Sequence, residues 1–307
     1  MTALVQEPAP EQAESTTTNT REGIVWLASF PKSGNTWFRI FLQHLVSGPD
    51  APIKLQGLST SIASARGVFD EHSGLDSSDL SHEEIDFYRP RVYERMVAKS
   101  KSFPMFMKTH DAWTRLPNGK PVLSAKATAG AICLVRNPLD VAVSFAYHGG
   151  HENFDQSIEM MGSRENGHFC HGRKRLQNQL RQLMFGWSGY IESWLDAEVP
   201  IHVIRYEDMK ATPTETFSGA IEFAGLKHTR EEVEAALEKS KFENLKKKEE
   251  EDGFREKQPN CKAFFRKGTV GSWRENLNDE QRDRVINDHR VMMEKFGYLD
   301  ENGELTV

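Results

Sequence analysis

Short, wholly apolar runs alternate along this chain with stretches in which apolar side chains recur at helical spacing. The apolar runs are residues 24–28, 105–107, 131–135 and 201–204. Runs of this length and composition are typical of strands buried on both faces. Apolar side chains at helical spacing follow the first run directly. Because strands that alternate with helices form parallel sheets, we predict an α/β fold with a central parallel sheet flanked by helices.

Several helix boundaries are marked by capping residues. Asn137 precedes Pro138 and Asp140, which predicts a helix with Asn137 as its N-cap. The segment TPTE at residues 212–215 matches a capping box and predicts a second start. Residues 279–296 predict a long C-terminal helix.

The organisation along the chain predicts one large domain. Residues 1–22 are rich in Pro, Glu, Gln, Ser and Thr and predict a disordered N-terminal tail. Residues 23–300 predict a single domain, and residues 301–307 a C-terminal tail.

Three segments do not fit the alternation of strands and helices. Residues 48–80 and 148–172 have weak periodicity and predict long loops that face the substrate. The charge block KKKEEEDG at residues 246–253 is typical of a solvated linker.

Composition narrows the function. The 307 residues include 39 Lys and Arg against 45 Asp and Glu, a formal charge of −6, which argues against a general nucleic-acid binder. Three scattered cysteines support neither a disulfide framework nor a thiolate metal site, and they favour a cytoplasmic location. No stretch of 18 apolar residues occurs, so we expect no membrane span.

The strongest motif is SFPKSGNTW at residues 29–37, between the first predicted strand and a helix start. Free backbone N–H groups there favour an anion, while Lys32 supplies charge, Gly34 allows close approach and Thr36 offers a hydroxyl. The order differs from a Walker A motif, since the lysine precedes the glycine. No apolar strand ends in the Asp that P-loop NTPases use for magnesium. An ordinary strand–helix turn is the structural alternative.

Two further segments suit phosphate binding. Arg136 comes directly before the Asn137 cap, and Ser144 lies on the same side of that helix as Asp140. The segment FFRKGTVGSWR at residues 264–274 combines three cations with two glycines. A surface ion pair and a basic loop that balances the Glu-rich stretch are the respective alternatives.

These three segments, in this order, resemble the cytosolic-type sulfotransferases that use 3′-phosphoadenosine 5′-phosphosulfate (PAPS). The similarity extends from about residue 24 to residue 299 and includes YED at residues 206–208. Asn35 stands where many members have Thr, and Ser272 where many have Asp. The short dimer element that often follows the last loop is not recognisable in residues 274–283, so a homodimer would have to form another way.

The resemblance implies a P-loop-like sulfotransferase fold, no metal, and a role for each matched residue. Lys32 would contact the sulfuryl group and the bridging oxygen. The 5′-phosphate would be cradled by Ser33, Gly34, Asn35 and Thr36. The adenine would lie near Trp37, Tyr206, Ser240 and Phe242. The 3′-phosphate would be held by Arg136, Ser144, Arg266, Lys267 and Gly268. Core packing is the alternative for the three aromatic residues.

The candidate base lies in MFMKTH at residues 105–110. Lys108 and His110 alternate at a strand end, so both side chains point to the same face. The family's catalytic histidine occupies such a segment, and a His of near-neutral pKa suits proton removal from an attacking hydroxyl or amine. Lys32 and Lys108 could stabilise charge on the leaving phosphate. A structural histidine is the alternative.

A second histidine cluster invites a zinc assignment. It consists of His148, His151, His168, Cys170 and His171. A loop-like stretch separates its two halves, and we interpret it as a polar loop on the substrate side, without a metal.

The sequence therefore predicts a PAPS-dependent sulfotransferase acting on a small-molecule hydroxyl or amine, with PAP as product, His110 as base and no nucleic-acid partner. Two alternatives remain open at this point. One is a variant P-loop kinase acting on a small molecule, and the other is a nucleotide sensor without catalysis.

Overall fold

The structure is a computed structural model. It describes residues 22–48, 51–52, 54–150, 152–164, 168–169 and 176–307, with backbone alone at 168 and 169.

Five parallel strands form the central sheet. They are β1 (Ile24–Ser29), β2 (Ser61–Ile62), β3 (Met105–Thr109), β4 (Thr128–Val135) and β7 (Ile201–Arg205). Their spatial order is β2-β3-β1-β4-β7, so β1 lies at the centre between β3 and β4. A separate antiparallel pair consists of β5 (His168–Phe169) and β6 (Gln182–Leu183).

Both faces of the sheet are covered. All six residues of β1 are buried, and they alternate between two hydrophobic clusters. Trp26 and Ala28 belong to one cluster, and Val25 and Leu27 belong to the other. This two-sided burial explains why the strand has no polar position before Ser29.

Eleven helices occur among the described residues. They are α1 (Asn35–Ser47), α2 (Arg66–Ser73), α3 (His82–Lys99), α4 (Pro138–Gly149), α5 (Phe154–Gly162), α6 (Gly186–Leu195), α7 (Tyr206–Ala211), α8 (Pro213–Phe223), α9 (Arg230–Lys239), α10 (Phe242–Asp252) and α11 (Asp279–Lys295). Within the same part of the chain, no helix is long and apolar enough to cross a membrane.

The predicted α/β class is confirmed, and so is the cap of α4. The Asn137 side chain accepts a hydrogen bond from the Leu139 N–H, with Pro138 at the first helical position. Helix α8 begins after Thr212 with Pro213 at its first position, as predicted, but the capping box is wrong, because the Thr212 side chain makes no capping hydrogen bond. Its hydroxyl donates instead to the Asp208 carbonyl in α7.

The charge block at residues 246–253 is not a linker. The first seven residues of this block belong to α10. The helix packs against the domain because one acidic residue on its inner side, Glu249, is buried and hydrogen-bonded. The carboxylate of Glu249 accepts from the N–H groups of Phe264 and Phe265 at 2.7 and 2.9 Å. The segments predicted as long loops also contain helices, α2 in one and α5 in the other.

The predicted N-terminal tail lies outside the described residues, except for residue 22. At the other end, residues 301–307 fold back on the domain: Leu305 forms a β-bridge with Leu299, and Thr306 N–H donates to the Tyr298 carbonyl at 3.2 Å. The domain boundaries themselves stay predictions.

The carboxyl ends of four adjacent strands converge on one edge of the sheet. Ser29 ends β1, His110 follows β3, Arg136 follows β4, and Tyr206 follows β7. Ligands of open parallel sheets bind at this edge.

A buried ion pair fixes the chain just beyond His110. Arg89 on α3 donates to both carboxylate oxygens of Asp111, at 3.0 and 2.6 Å, and both side chains are about 1% exposed. The pair therefore attaches the end of β3 to α3.

Asp111→Asn should lower the free energy of unfolding by about 3 kcal/mol, because it leaves the buried Arg89 guanidinium with only the more distant carboxylate of Asp86, at 3.5 Å, among the described residues. Urea unfolding measures the change. The control is Glu234→Gln, which removes an exposed partner of Arg230 and should leave the unfolding midpoint unchanged. Equal midpoints for the two variants would contradict this role of the pair.

Candidate active site

One large cavity lies at the carboxyl edge of the sheet. Its volume is about 1080 Å³. It is lined by all but one of the predicted site residues, namely Lys32, Gly34, Asn35, Thr36, Trp37, Lys108, His110, Arg136, Ser144, Tyr206, Ser240, Phe242, Arg266, Lys267 and Gly268. The exception is Ser33, which is fully buried beneath the loop. Segments far apart in the sequence thus share one cavity.

The loop after β1 has an unusual backbone. Lys32 has φ 72° and Gly34 has φ 101°, so two residues of the turn are in the left-handed region. A Cβ at Gly34 would lie 2.9 Å from Cδ2 of Tyr206, which leaves no room for a side chain. Asn35 fastens the loop to its strand by donating to the Leu27 carbonyl at 2.8 Å.

Lys32 points into the cavity without a carboxylate partner among the described residues. Its ammonium nitrogen lies 4.1 Å from the centre of the Phe264 ring. Burial lowers the pKa of Lys32 to about 8, and the nearby cations Arg136 and Lys108 act in the same direction. Such a lysine gains from a bound anion, because an anion stabilises its charged form.

Arg136 connects the loop after β1 to the C-terminal loop at residues 264–274. Its guanidinium donates to the Lys32 carbonyl at 3.2 Å and to the Thr269 carbonyl at 3.0 Å. It also stacks on the Tyr206 ring, 4.2 Å from the ring centre. The guanidinium is therefore held at the cavity wall by contacts from both loops.

Asp140 anchors the C-terminal loop to α4. Its carboxylate accepts from the N–H groups of Gly271 and Trp273, at 2.8 and 3.0 Å, and from the Ser272 hydroxyl at 3.0 Å. Sequence reasoning assigned Asp140 only to the start of its helix. These bonds bring residues 264–274 against the loop after β1.

The remaining cofactor candidates lie along the C-terminal loop. Gly268 has φ 62°, and a Cβ there would lie 2.4 Å from the Phe242 ring, so glycine allows this close packing. Tyr206 donates to the Gly268 carbonyl at 3.1 Å. Arg266 lies over the Tyr147 ring at 4.0 Å, and Lys267 pairs with an exposed glutamate, Glu275.

Trp37, Ser144 and Ser240 complete the predicted set. Trp37 packs edge-on against Tyr206 and Phe217, with ring centres 6.0 and 5.2 Å apart. Ser144 is half-buried on α4. The Ser240 hydroxyl donates to the Leu237 carbonyl at 3.1 Å.

The imidazole of His110 has a defined tautomer. Its Nδ1 lies 2.6 Å from the carbonyl oxygen of Ser29. A carbonyl can only accept, so Nδ1 carries the hydrogen and Nε2 keeps a free lone pair. Burial lowers the pKa of His110 to about 3, with Lys108 adding to the shift, so the ring is neutral at pH 7.

Lys108 lines the same cavity as His110 and is held by an ion pair. Its ammonium nitrogen is 2.8 Å from one carboxylate oxygen of Glu256, and Arg39 is 2.7 Å from the other. Neither Arg39 nor Glu256 was identified from the sequence.

Of the second histidine cluster, the structure describes the side chain of His148 alone. His148 lines the cavity, packs edge-on against Phe264, and has its pKa lowered to about 3 by burial. Among the described residues, no group of three or more His, Cys, Asp or Glu could hold a metal ion.

The comparison with known families decides the assignment. A family model described as the sulfotransferase domain matches residues 22–297. The chain belongs to the sulfotransferase family. This confirms the predicted family, fold and enzyme class, and it favours sulfuryl transfer over the kinase alternative.

Plant sulfotransferases are similar to this sulfotransferase over most of its length. A flavonol 4′-sulfotransferase of Flaveria chlorifolia is 27% identical over 275 residues, which cover 85% of this chain and 76% of that protein. Cytosolic sulfotransferase 1 of Arabidopsis thaliana is 26% identical over 268 residues, covering 84% and 75%.

Solved structures share the fold of the sulfotransferase. Mouse sulfotransferase SULT7A1 complexed with PAP superposes with a TM-score of 0.54 at 19% identity, covering 91% of this chain and 89% of that one. Retinol dehydratase, in complex with androsterone and the inactive cofactor PAP, gives a TM-score of 0.55 at 18% identity, covering 92% and 84%.

The cavity of the sulfotransferase fits an anionic nucleotide. Two buried donors of lining residues have no hydrogen-bond partner among the described residues: Trp37 Nε1 and Arg136 Nε. The described lining includes nine lysines and arginines but one carboxylate, that of Glu256. Unpaired donors and excess positive charge are the features that a phosphate-bearing ligand would compensate.

Asp140→Asn should loosen the C-terminal loop and lower the free energy of unfolding by about 1.5–3 kcal/mol, because charged hydrogen bonds to three loop groups are weakened or lost. Urea unfolding gives the free energy, and hydrogen exchange of residues 264–275 locates the change. Asp283→Asn, at an exposed position, is the control. Unchanged exchange in this loop would contradict the anchoring role.

Proposed function

We propose that this sulfotransferase transfers a sulfuryl group from PAPS to a hydroxyl, or an amine, of a small-molecule acceptor, with His110 as general base and PAP as product. The observation that carries the proposal is the free Nε2 of His110 in the same cavity as Lys32 and Arg136. Transfer from a phosphosulfate requires, in one cavity, a base and cations that can bind phosphate groups.

The hydrogen bond from Nδ1 to Ser29 supports His110 as the base. It fixes the ring plane and leaves Nε2 as the only nitrogen that can take a proton. Because Ser29 also begins the loop that contains Lys32, the base and the lysine are held by the same segment. The acceptor would lose its proton to Nε2 as it attacks.

The residues of the first loop would hold the phosphosulfate. Bound PAPS would supply an activated sulfuryl group on a phosphate leaving group. The N–H groups of the loop, with Ser33, Gly34, Asn35 and Thr36, are suited to the 5′-phosphate. Lys32 and Lys108 would stabilise the negative charge that develops on the leaving side.

The second and third segments would hold the rest of the nucleotide. The 3′-phosphate would meet Arg136, Ser144, Arg266, Lys267 and Gly268. The packing of Trp37 against Tyr206, and of Phe242 against Gly268, supports an adenine site between these aromatic residues, with Ser240 beside it.

The cavity lining outside the phosphate-type segments mixes amide side chains with apolar ones such as Ile62, Phe145 and Met160. The amides are those of Gln177, Asn178, Gln179, Gln258 and Asn260. Amides donate and accept hydrogen bonds with hydroxyl groups, so we infer an acceptor that carries several polar groups rather than a wholly apolar one.

Three further expectations stay predictions. A cytoplasmic location is supported by relatives named cytosolic sulfotransferases. Independence from metals rests on the family resemblance, and so does the expectation that a homodimer would not use the usual family element.

Incubation with sulfur-35-labelled PAPS and a panel of acceptors tests the proposal. The panel contains phenols, flavonols, steroids, amines, and hydroxyl-rich glycosides, and parallel reactions replace PAPS by ATP labelled with phosphorus-32 at its γ-phosphate, with magnesium. We expect labelled product from PAPS alone, and faster labelling of the polar acceptors. No transfer to any acceptor, together with no binding of PAP in calorimetry, would overturn the function.

His110→Ala should lower kcat by about 10²–10⁴-fold while PAP still binds, because the variant removes the proton acceptor and leaves the phosphate loops intact. The control is His228→Ala, at a histidine outside the cavity lining. Unchanged turnover in His110→Ala would refute the general base, and loss of PAP binding would show that the residue is structural.

Arg136→Ala should weaken PAP binding about 10–100-fold and the binding of adenosine 5′-monophosphate much less, because only PAP carries a 3′-phosphate. The lost contacts to the two loops should weaken the binding of both ligands equally. The ratio of the two changes in affinity therefore measures the contact between Arg136 and the 3′-phosphate. Calorimetry gives both affinities, with Arg115→Ala as the exposed control. Equal weakening of both ligands would disprove the assignment.

A further inference from the structure

Glu256 is the single carboxylate among the described residues that line the cavity. It lies in the segment between α10 and the C-terminal loop, which no sequence motif marks. Its two oxygens are engaged separately, one by Lys108 at 2.8 Å and one by Arg39 at 2.7 Å. One carboxylate therefore joins α1, β3 and the segment after α10.

This ion-pair cluster is largely withdrawn from water. The side chains of Arg39, Lys108 and Glu256 are 2%, 11% and 19% exposed. The Nε of Arg39 also donates to the Thr60 hydroxyl at 2.7 Å, which leaves the arginine with little freedom to move. Removing one member of such a cluster leaves a buried charge without compensation.

Apart from Glu256, the charged groups that act on Lys108 are cations. Arg39 from α1 and Lys32 from the first loop oppose its charge, while His110 and His148, both neutral at pH 7, also lie near it. Burial lowers the pKa of Lys108, and Glu256 opposes that shift. Although burial alone would raise the pKa of Glu256, Lys108 and Arg39 bring it down to about 2.

We propose that Glu256 is a positioning residue of the transfer site: its carboxylate fixes Lys108 beside His110 and compensates the charges of Lys108 and Arg39, so that a buried lysine stays cationic next to the base. The proposal rests on the roles given above to His110 and Lys108.

The first test follows unfolding free energy against pH. Glu256→Gln should be destabilised most at pH 7 and recover towards pH 10. The reason is linkage: the pKa of Lys108 in the folded variant falls further below the unfolded value of 10.5, so the unfolded chain binds more protons and stability rises with pH across this window. Glu250→Gln, which removes the same charge at an exposed position of α10, should show no such recovery.

The Lys108→Met/Glu256→Gln double variant separates coupling from general damage. Lys32 contributes the same slope to Lys108→Met and to the double variant, so without Lys108 the recovery of the double variant relative to Lys108→Met should disappear. If Glu256→Gln does not fold at pH 7, Glu256→Asp, whose shorter side chain cannot reach both cations equally well, should show the same recovery to a smaller extent. A pH-independent loss, or a recovery that persists in the double variant, would overturn the proposal.

The second test determines whether the ion-pair cluster of Arg39, Lys108 and Glu256 affects ligand binding in the cavity. Calorimetry of PAP binding at pH 8, in buffers of different ionisation enthalpy, counts the protons taken up. Glu256→Gln should take up more protons than wild type and Glu250→Gln, by up to about one, because the anion recharges Lys108. Equal uptake would refute a role in the site. Failure of the wild type to bind PAP would overturn the proposed function, while the stability profile still decides the coupling of Glu256 to Lys108.

Discussion

Positive charge concentrated in one cavity is the constraint on which the rest of the structure depends. Buried cations lose hydration and repel one another, so the chain must supply a few carboxylates while leaving charge for a ligand. Asp140 and Glu256 supply these carboxylates, and each also holds part of the cavity wall in place. Asp140 holds the C-terminal loop, and Glu256 joins Arg39 to Lys108. The same interactions therefore compensate the buried charges and hold the cavity walls together.

The sheet makes this concentration possible. Because all five strands are parallel, their carboxyl ends lie at one edge, and residues about a hundred positions apart become neighbours there. Ser29 at the end of the central strand contacts His110, and Lys32 in the following loop contacts Arg136. The left-handed backbone at Lys32 then turns the chain into α1, and so the lysine, His110 and the arginine face the same space.

The parts that the sequence predicts are those fixed by near neighbours in the chain. The Asn137 cap and the loop between the first strand and α1 each depend on a few consecutive residues, so local patterns reveal them. Glu249 and Glu256 lie in a charge-rich region whose composition is typical of solvated chain, yet both are held inside. Their partners are 15, 148 and 217 positions away, and no local pattern carries that information.

The lowered pKa values of Lys32 and His110 connect the anion site to the base proposed above. Burial lowers the pKa of Lys32 to about 8 and that of His110 to about 3, and neighbouring cations contribute to both shifts. An anion bound beside them would stabilise the protonated forms and raise both pKa values. In the proposed mechanism, binding of the anionic donor would therefore raise the basicity of His110 as well as favour the cationic form of Lys32.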